Sequence, residues 1–303
     1  MTRRLVSVGN VLVDIIVHGR LPERGSDSIA TSGGMSAGGA FNAMVAATRQ
    51  GLPTAYAGGH GTGAFGDLVR AALRDAGIEI LTEVSAVFDS GYDIAIIEDD
   101  GERTFLTVPG AEMRLTISQL ERAVISGDDL LLVSGYGLLE QTNGAVLAPW
   151  LETIPADTTV LVDPGPLIRQ LMQTPVWAAV AARADWLSCN REEAAILSSK
   201  SDPMDAAGAL ANSSRGVLVR DGSDGCVLAF EGQIERVPGF AVTAIDTNGA
   251  GDAHSGAFLA ALAEGVEPRD AALRANACAA IAVTRRGPAT APTRTEVLAL
   301  LAG

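Results

Sequence analysis

Asp246-Thr247-Asn248-Gly249-Ala250-Gly251-Asp252 runs without a break into the apolar stretch 253–263, where Phe258, Leu259 and Leu262 recur at helical spacing. The pattern predicts a helix that starts at the two glycines. Amides in a first helical turn have no helical acceptor, and the helix dipole adds partial positive charge there. Glycine and alanine let an anion approach those amides closely. Asp252 follows at once. An acid in a first turn commonly does no more than cap the helix and favour its dipole. Beside an anion hole it has a second use, because it can take the proton of a hydroxyl that attacks a bound phosphate. The remainder of the chain decides between the two.

Residues 4–9 read as a buried first strand, 40–50 as a helix ended by Gly51 and Pro53, 54–58 as a short strand and 65–76 as an amphipathic helix. Residues 92–98 and 103–108 alternate around Asp99-Asp100-Gly101-Glu102, an antiparallel hairpin pattern. From Asp129 the chain alternates strand and helix, with strands at 130–133, 159–162, 186–188 and 217–219. That order predicts βαβ units and a mainly parallel sheet. A second hairpin spans 226–230 and 233–237, and helices fill 250–264, 269–285 and 294–301. The early hairpin and the polar segment 18–37 do not belong to a parallel sheet. They are candidates for a small β lid, which suits phosphoryl transfer because excluding water suppresses hydrolysis.

Composition narrows the partners. The chain has 303 residues, 48% of them hydrophobic and 19% charged, as in ordinary globular domains. The formal net charge is −14. Without a basic run of five residues, nucleic acid and anionic membranes are poor partners. Global acidity does not exclude a phosphate ligand, since a helix N-terminus makes a local anion site. Cys189, Cys226 and Cys278 are far apart and read as buried small hydrophobes. His18, His60 and His254 lack metal-ligand spacing, and His254 reads as a neighbour of the motif helix. Asn10 and Asp14 interrupt the N-terminal apolar run, no apolar stretch is long enough to span a bilayer, and the chain reads as cytoplasmic. Lys200, in a polar loop, is the one lysine. Neither a Walker A lysine nor the protein-kinase strand lysine is present. Any phosphoryl transfer must use arginine, backbone amides and metal.

Further motifs follow in order: Asp14 after the first strand, the turn Ala37-Gly38-Gly39-Ala40-Phe41-Asn42, Asn190-Arg191-Glu192-Glu193, Arg220-Asp221-Gly222-Ser223-Asp224-Gly225, and Val283-Thr284-Arg285-Arg286-Gly287. Over nearly its full length the chain resembles the ribokinase (PfkB) family of carbohydrate and nucleoside kinases, with D-T-x-G-A-G-D as the most specific element. The resemblance implies an α/β fold, a ribokinase-like three-layer α/β/α sandwich with a small β-sheet lid, as one domain over 1–303 with the lid at roughly 11–38 and 91–110. It implies an ATP-dependent phosphotransferase that phosphorylates a hydroxyl of a small sugar or sugar-like acceptor, with a nucleoside as the alternative acceptor. Asp252 matches the family's general base. Gly249, Ala250 and Gly251 match its anion hole. Asp14, Gly38, Gly39 and Asn42 fall where acceptor hydroxyls are held. Asn190, Arg220, Gly222, Gly225 and Asn276 match the nucleotide site, with Glu193 orienting Mg²⁺ through water. Asp246, Ala282, Arg285 and Gly287 match a monovalent-cation loop, which makes K⁺ a candidate cofactor. A homodimer through the lid is also implied.

Three positions depart from the family pattern. Ala37-Gly38 replaces a paired glycine, Gly63 replaces an acid in Gly61-Thr62-Gly63-Ala64-Phe65-Gly66, and Ser134-Gly135-Tyr136 stands where a ribose-specific enzyme carries a glutamate. These departures count against ribose as the acceptor. Residues 61–66 also spell G-x-G-x-x-G between a strand and a helix, so a Rossmann NAD-dependent dehydrogenase is the rival reading. That rival gives no reason for an acid behind an anion hole. A catalytically inactive sugar or nucleotide sensor on the same fold is the third reading.

Overall fold

Along each central strand, successive side chains pass to opposite faces. Leu130, Leu132 and Leu161 join one apolar cluster, while Leu131, Val133, Val160 and Val162 join another. A strand that is apolar on both faces needs cover on both faces, which is why helices flank this sheet on two sides.

The computed structural model describes residues 3–98, 103–212 and 215–303. Its strands are β1 (Leu5–Ser7), β2 (Val11–His18), β3 (Ser32–Gly39), β4 (Thr54–Tyr56), β5 (Glu79–Ile80), β6 (Tyr92–Ile97), β7 (Arg103–Val108), β8 (Leu130–Ser134), β9 (Thr159–Asp163), β10 (Trp186–Asn190), β11 (Gly216–Arg220), β12 (Gly225–Phe230) and β13 (Gln233–Pro238). Its α-helices are α1 (Phe41–Arg49), α2 (Ala64–Asp75), α3 (Ile117–Arg122), α4 (Ala145–Leu151), α5 (Ile168–Leu171), α6 (Pro175–Arg183), α7 (Arg191–Ser198), α8 (Pro203–Leu210), α9 (Ala250–Ala263), α10 (Pro268–Ala282) and α11 (Arg294–Ala302).

The main sheet has nine strands in the order β13-β12-β11-β10-β9-β8-β1-β4-β5. It is parallel from β11 to β5, and the hairpin β12–β13 is antiparallel. Helices α1, α2, α9, α10 and α11 cover one face, and α3, α4, α6, α7 and α8 the other. The three-layer expectation is met. Helix α10 stops at Ala282, three residues short of the expected end, because the chain turns there into the loop that carries Gly287 at φ +93°.

A separate four-stranded sheet, β3-β2-β6-β7, forms the lid. Of the polar segment 18–37, residues 32–37 belong to β3 and residues 19–31 form the loop that joins β2 to β3. Strand β2 begins directly after the first strand of the main sheet. The turn expected at 99–102 lies outside the described residues. One lid face rests on α2, where the rings of Phe65 and Tyr92 lie 5.0 Å apart. The base of the lid is pinned by Glu112, which is fully buried and accepts hydrogen bonds from the amides of Gly91 and Gly110, each at 2.7 Å. Those amides flank the β6–β7 hairpin, so one carboxylate sets its angle to the body.

Candidate active site

The site is built first by close packing of α1 on α9. A Cβ added at Gly256 would fall on the carbonyl oxygen of Ala43, so only glycine permits this approach. Nine consecutive residues of α9, Ala253 to Ala261, are buried, among them Phe258. Burying that one ring contributes about 2–3 kcal/mol. The packing brings Asn42, in the first turn of α1, against the N-terminus of α9. Its amide donates to Asp252 Oδ2 at 3.4 Å.

Helix α9 begins as expected. Gly249 takes φ +73° at the N-cap, and Ala253 N donates to its carbonyl at 2.8 Å. The amides of Gly251 and Asp252 meet no backbone or side-chain acceptor among the described residues. They are free donors at the positive end of a helix dipole. Burial, then the neighbouring Asp163, push the Asp252 carboxyl up to about 7, against the Asn42 hydrogen bond and the Arg220 charge that pull it down. His254 points into the core, where burial drives it down to about 3, so it is a neutral packed neighbour.

Asp14 faces this helix end from the lid. A Cβ at Gly38 would fall on the Asp14 carboxylate, which explains a bare backbone there. Gly39 at φ +64° lets the chain turn from β3 toward α1. A cleft of about 410 Å³ opens between the sheets, lined by Asp14, Ile16, Ala95 and Phe105 from the lid and Asp246 and Asn248 from the body. Burial, then Asp93 and Asp252, push Asp14 up to about 7. Asp93 was not legible as a site residue. It stands directly opposite Asp14 in the β2–β6 register, and burial pushes it up to about 6. Burial, then the charges of Asp252, Asp163, Glu193 and Asp93, raise Tyr136 to about 12.

Behind the free amides at the start of α9 sits Arg220, at the end of β11. A Cβ on Gly251 would come to 3.3 Å from its guanidinium. Arg220 Nη1 bonds Asp163 Oδ2 at 3.0 Å and Ser188 Oγ at 2.5 Å, and Nη2 lies 3.7 Å from Glu193 Oε2. Burial works against its charge, but Asp163 and Glu193 outweigh it and raise its pKa. Asp163 is the second residue missed. Its signal was an acid at the carboxyl end of a parallel strand, where α/β sheets place ligands. Asn190 and Glu193 form a reciprocal cap at the start of α7: Asn190 Oδ1 accepts from Glu193 N at 2.8 Å, and Glu193 Oε2 from Asn190 N at 2.7 Å. They hold Glu193 buried beside Arg220.

Gly222 (φ +62°) and Gly225 (φ +92°) form the tight turn between β11 and β12. Asn276 is buried, and its amide donates to the carbonyls of Val237 and Pro238, each at 3.1 Å. It ties α10 to the end of β13. Asp246 bridges two loops, accepting from Asn248 N and Gly287 N at 3.0 Å each. The Ala282 carbonyl accepts from Thr290 Oγ1 at 3.1 Å. The Arg285 guanidinium points to Thr290 O and Glu296, leaving only its backbone for the loop.

The G-x-G-x-x-G segment is no dinucleotide site. Asp89 fills the N-terminus of α2, accepting from Phe65 N at 3.2 Å and Gly66 N at 2.7 Å. A Cβ at Gly66 would strike the carbonyl of Gly61, so that glycine serves packing. The dehydrogenase reading is overturned, because the place for a pyrophosphate holds a protein carboxylate.

A lidded α/β sheet with an acid beside the free amides of a helix start fits a phosphotransferase of the ribokinase-like class. Residues 2–295 match the pfkB family of carbohydrate kinases. The chain belongs to that family and is an ATP-dependent carbohydrate kinase. YegV, an uncharacterized sugar kinase of Escherichia coli (strain K12), is 33% identical over 305 residues, 98% of this chain and 94% of its own. The ATP-dependent ribose-1-phosphate kinase of Halopiger xanaduensis is 33% identical over 98% of both chains. The solved Arabidopsis thaliana ribokinase complexed with ribose and ATP superposes with a TM-score of 0.82 at 26% identity, covering 99% of each chain.

Proposed function

We propose that this kinase phosphorylates a hydroxyl of a small sugar or sugar-like acceptor, with Asp252 as the general base. The observation that carries the reading is the placement of Asp252 itself: mostly buried, tuned to about 7, bonded to Asn42 and one residue from the free amide of Gly251. A base near neutrality can accept the hydroxyl proton as attack proceeds. Gly249, Ala250 and Gly251, with the Asp252 amide, receive the charge of the transferring phosphate. Asp14, Gly38, Gly39 and Asn42 hold the acceptor.

Among the described residues no group of three or more acidic, histidine or cysteine side chains could hold a metal. This donor set fits Mg²⁺ bound through phosphates and water rather than in a protein cage, with Glu193 as the carboxylate that orients it. Mg²⁺, when bound, neutralises charge on the phosphoryl oxygens. Asn190, Arg220, Gly222, Gly225 and Asn276 shape the nucleotide side. Asp246 and the backbone at Ala282, Arg285 and Gly287 fit a monovalent cation. The loop order they impose reaches Asn248 and the start of α9, so K⁺ in place of tetramethylammonium should raise turnover. A nucleoside acceptor is the second reading, favoured by the apolar Ile16, Ala95 and Phe105 along the cleft, against which a base can pack.

The test is ADP release from ATP and Mg²⁺ across neutral sugars, sugar phosphates and nucleosides. Acceptor-dependent release should fall about a hundredfold or more in Asp252→Asn, the range for a general base. Turnover unchanged by that substitution removes Asp252 from the mechanism.

A further inference from the structure

Hydrogen-bonding capacity at the lid end of the site is one-sided. Asp14 is 8% exposed and lines the cleft, yet no hydrogen bond reaches its carboxylate among the described residues. Asp93 Oδ1 is buried without a partner. Asn42 is 5% exposed, and its Oδ1 is also buried without a partner, because its amide is turned toward Asp252. Three neighbouring side chains therefore offer oxygen acceptors that the protein leaves unmet. Buried acceptors without donors are costly, and a ligand that supplies donors recovers that cost.

The strand register explains the arrangement. Asp14 pairs with Asp93, Ile16 with Ala95 and His18 with Ile97, so one lid face reads carboxylates at the base, apolar side chains in the middle and an imidazole at the tip. His18 lies four residues beyond Asp14, about 13 Å along a strand. Arg286, the other basic group on this cleft, is exposed on the loop after α10. The charges that Asp14 feels most come from Asp93 and Asp252, both negative. Arg220 is committed to Asp163, Ser188 and Glu193.

We propose that Asp93 is a specificity-determining residue of the acceptor site: with Asp14 and the side-chain oxygen of Asn42 it forms a wall of hydrogen-bond acceptors that takes the hydroxyls of a neutral sugar and turns away sugar phosphates and sugar acids. The proposal rests on the kinase reading above. Sugar hydroxyls bring the missing donors, and two carboxylates can each meet a pair of them. An anionic acceptor brings further acceptors and like charge into a site of low dielectric, which disfavours it.

The experiment compares the wild type with Asp93→Ala and Asp93→Asn, using D-fructose, D-glucose and D-ribose as neutral probes and D-ribose 1-phosphate and D-gluconate as anionic ones. In the wild type a neutral sugar should exceed both anionic probes in kcat/KM by about a hundredfold, as for a site built around specific hydrogen bonds. Asp93→Ala should raise the KM of that sugar about tenfold or more, with kcat within about threefold and the KM for ATP unchanged. Asp93→Asn keeps one acceptor oxygen and should fall between. An unchanged sugar KM in Asp93→Ala, or a wild type that prefers an anionic probe, overturns the proposal. If no probe is turned over, none of the five is the acceptor of this kinase, and calorimetric titration decides the proposal. A neutral sugar that binds the wild type and not Asp93→Ala upholds the wall, and absence of neutral-sugar binding overturns it.

Discussion

The side-chain amide of Asn42 donates to Oδ2 of Asp252 at 3.4 Å, across 210 positions of sequence. The bond joins the first turns of two helices that pack through Gly256, and it acts on chemistry as well as structure. It favours the charged form of a carboxylate that burial pushes toward neutrality. Asn42 therefore raises the share of Asp252 that is ionised near neutrality.

A pH profile reads this directly. With Asp252 at about 7, turnover should rise with pH through that value and level off above it. Removing the amide in Asn42→Ala should move the midpoint to higher pH and lower turnover at neutrality. The check is kcat from about pH 5 to about pH 9 for both proteins. A profile flat across neutrality in the wild type would count against Asp252 as the titrating base.

The same shift has a stability consequence of opposite feel. The folded protein holds a proton on Asp252 up to about 7, whereas an unfolded aspartate releases it near 3.8. The native state thus binds more protons between those values, and its stability falls as pH rises through that window. Asp14 and Asp93, also raised, act in the same direction. Asp252→Asn should unfold a few degrees higher than the wild type near pH 8, with the difference shrinking toward pH 4. Thermal unfolding at both ends of the window measures it, and an equal gain at both would contradict the burial argument.

Asp89 gives a separate test of the glycine-rich turn. It caps α2 through the amides of Phe65 and Gly66. Asp89→Ala should cost about 1–2 kcal/mol in denaturant unfolding, the range for a lost helix cap. NAD should bind neither protein in equilibrium dialysis, since no other feature of this turn serves a dinucleotide.

The lid supplies a prediction about assembly. Strands β3 and β7 are its edges, and Met35 and Leu106 are exposed on the face away from the cleft. Unpaired edges carrying apolar side chains favour association of a second copy. Sedimentation should find a dimer that Leu106→Asp converts to monomer. A monomeric wild type at micromolar concentration would remove the lid from assembly.

Much of this was written locally. The turn before α9, the parallel alternation from β8 onward and the β6–β7 hairpin rest on residue order within short windows, where glycine geometry and side-chain period act without help from afar. Asp14, Asn42, Glu193 and Arg220 were legible by their place in ordered motifs. Asp93 was not, because a single acid in an alternating strand looks like a solvent-facing residue until register sets it against Asp14. Asp163 shared that fate until the sheet order set β9 near Arg220. The glycine-rich turn misled for the complementary reason, since its anion site is filled by a carboxylate more than twenty positions away. Local residue order was enough for the helix that carries Asp252, for the class of fold and for the family of carbohydrate kinases. Which carboxylates face one another across strands is settled by strand register and by helix contacts through a bare glycine, neither of which any local window contains.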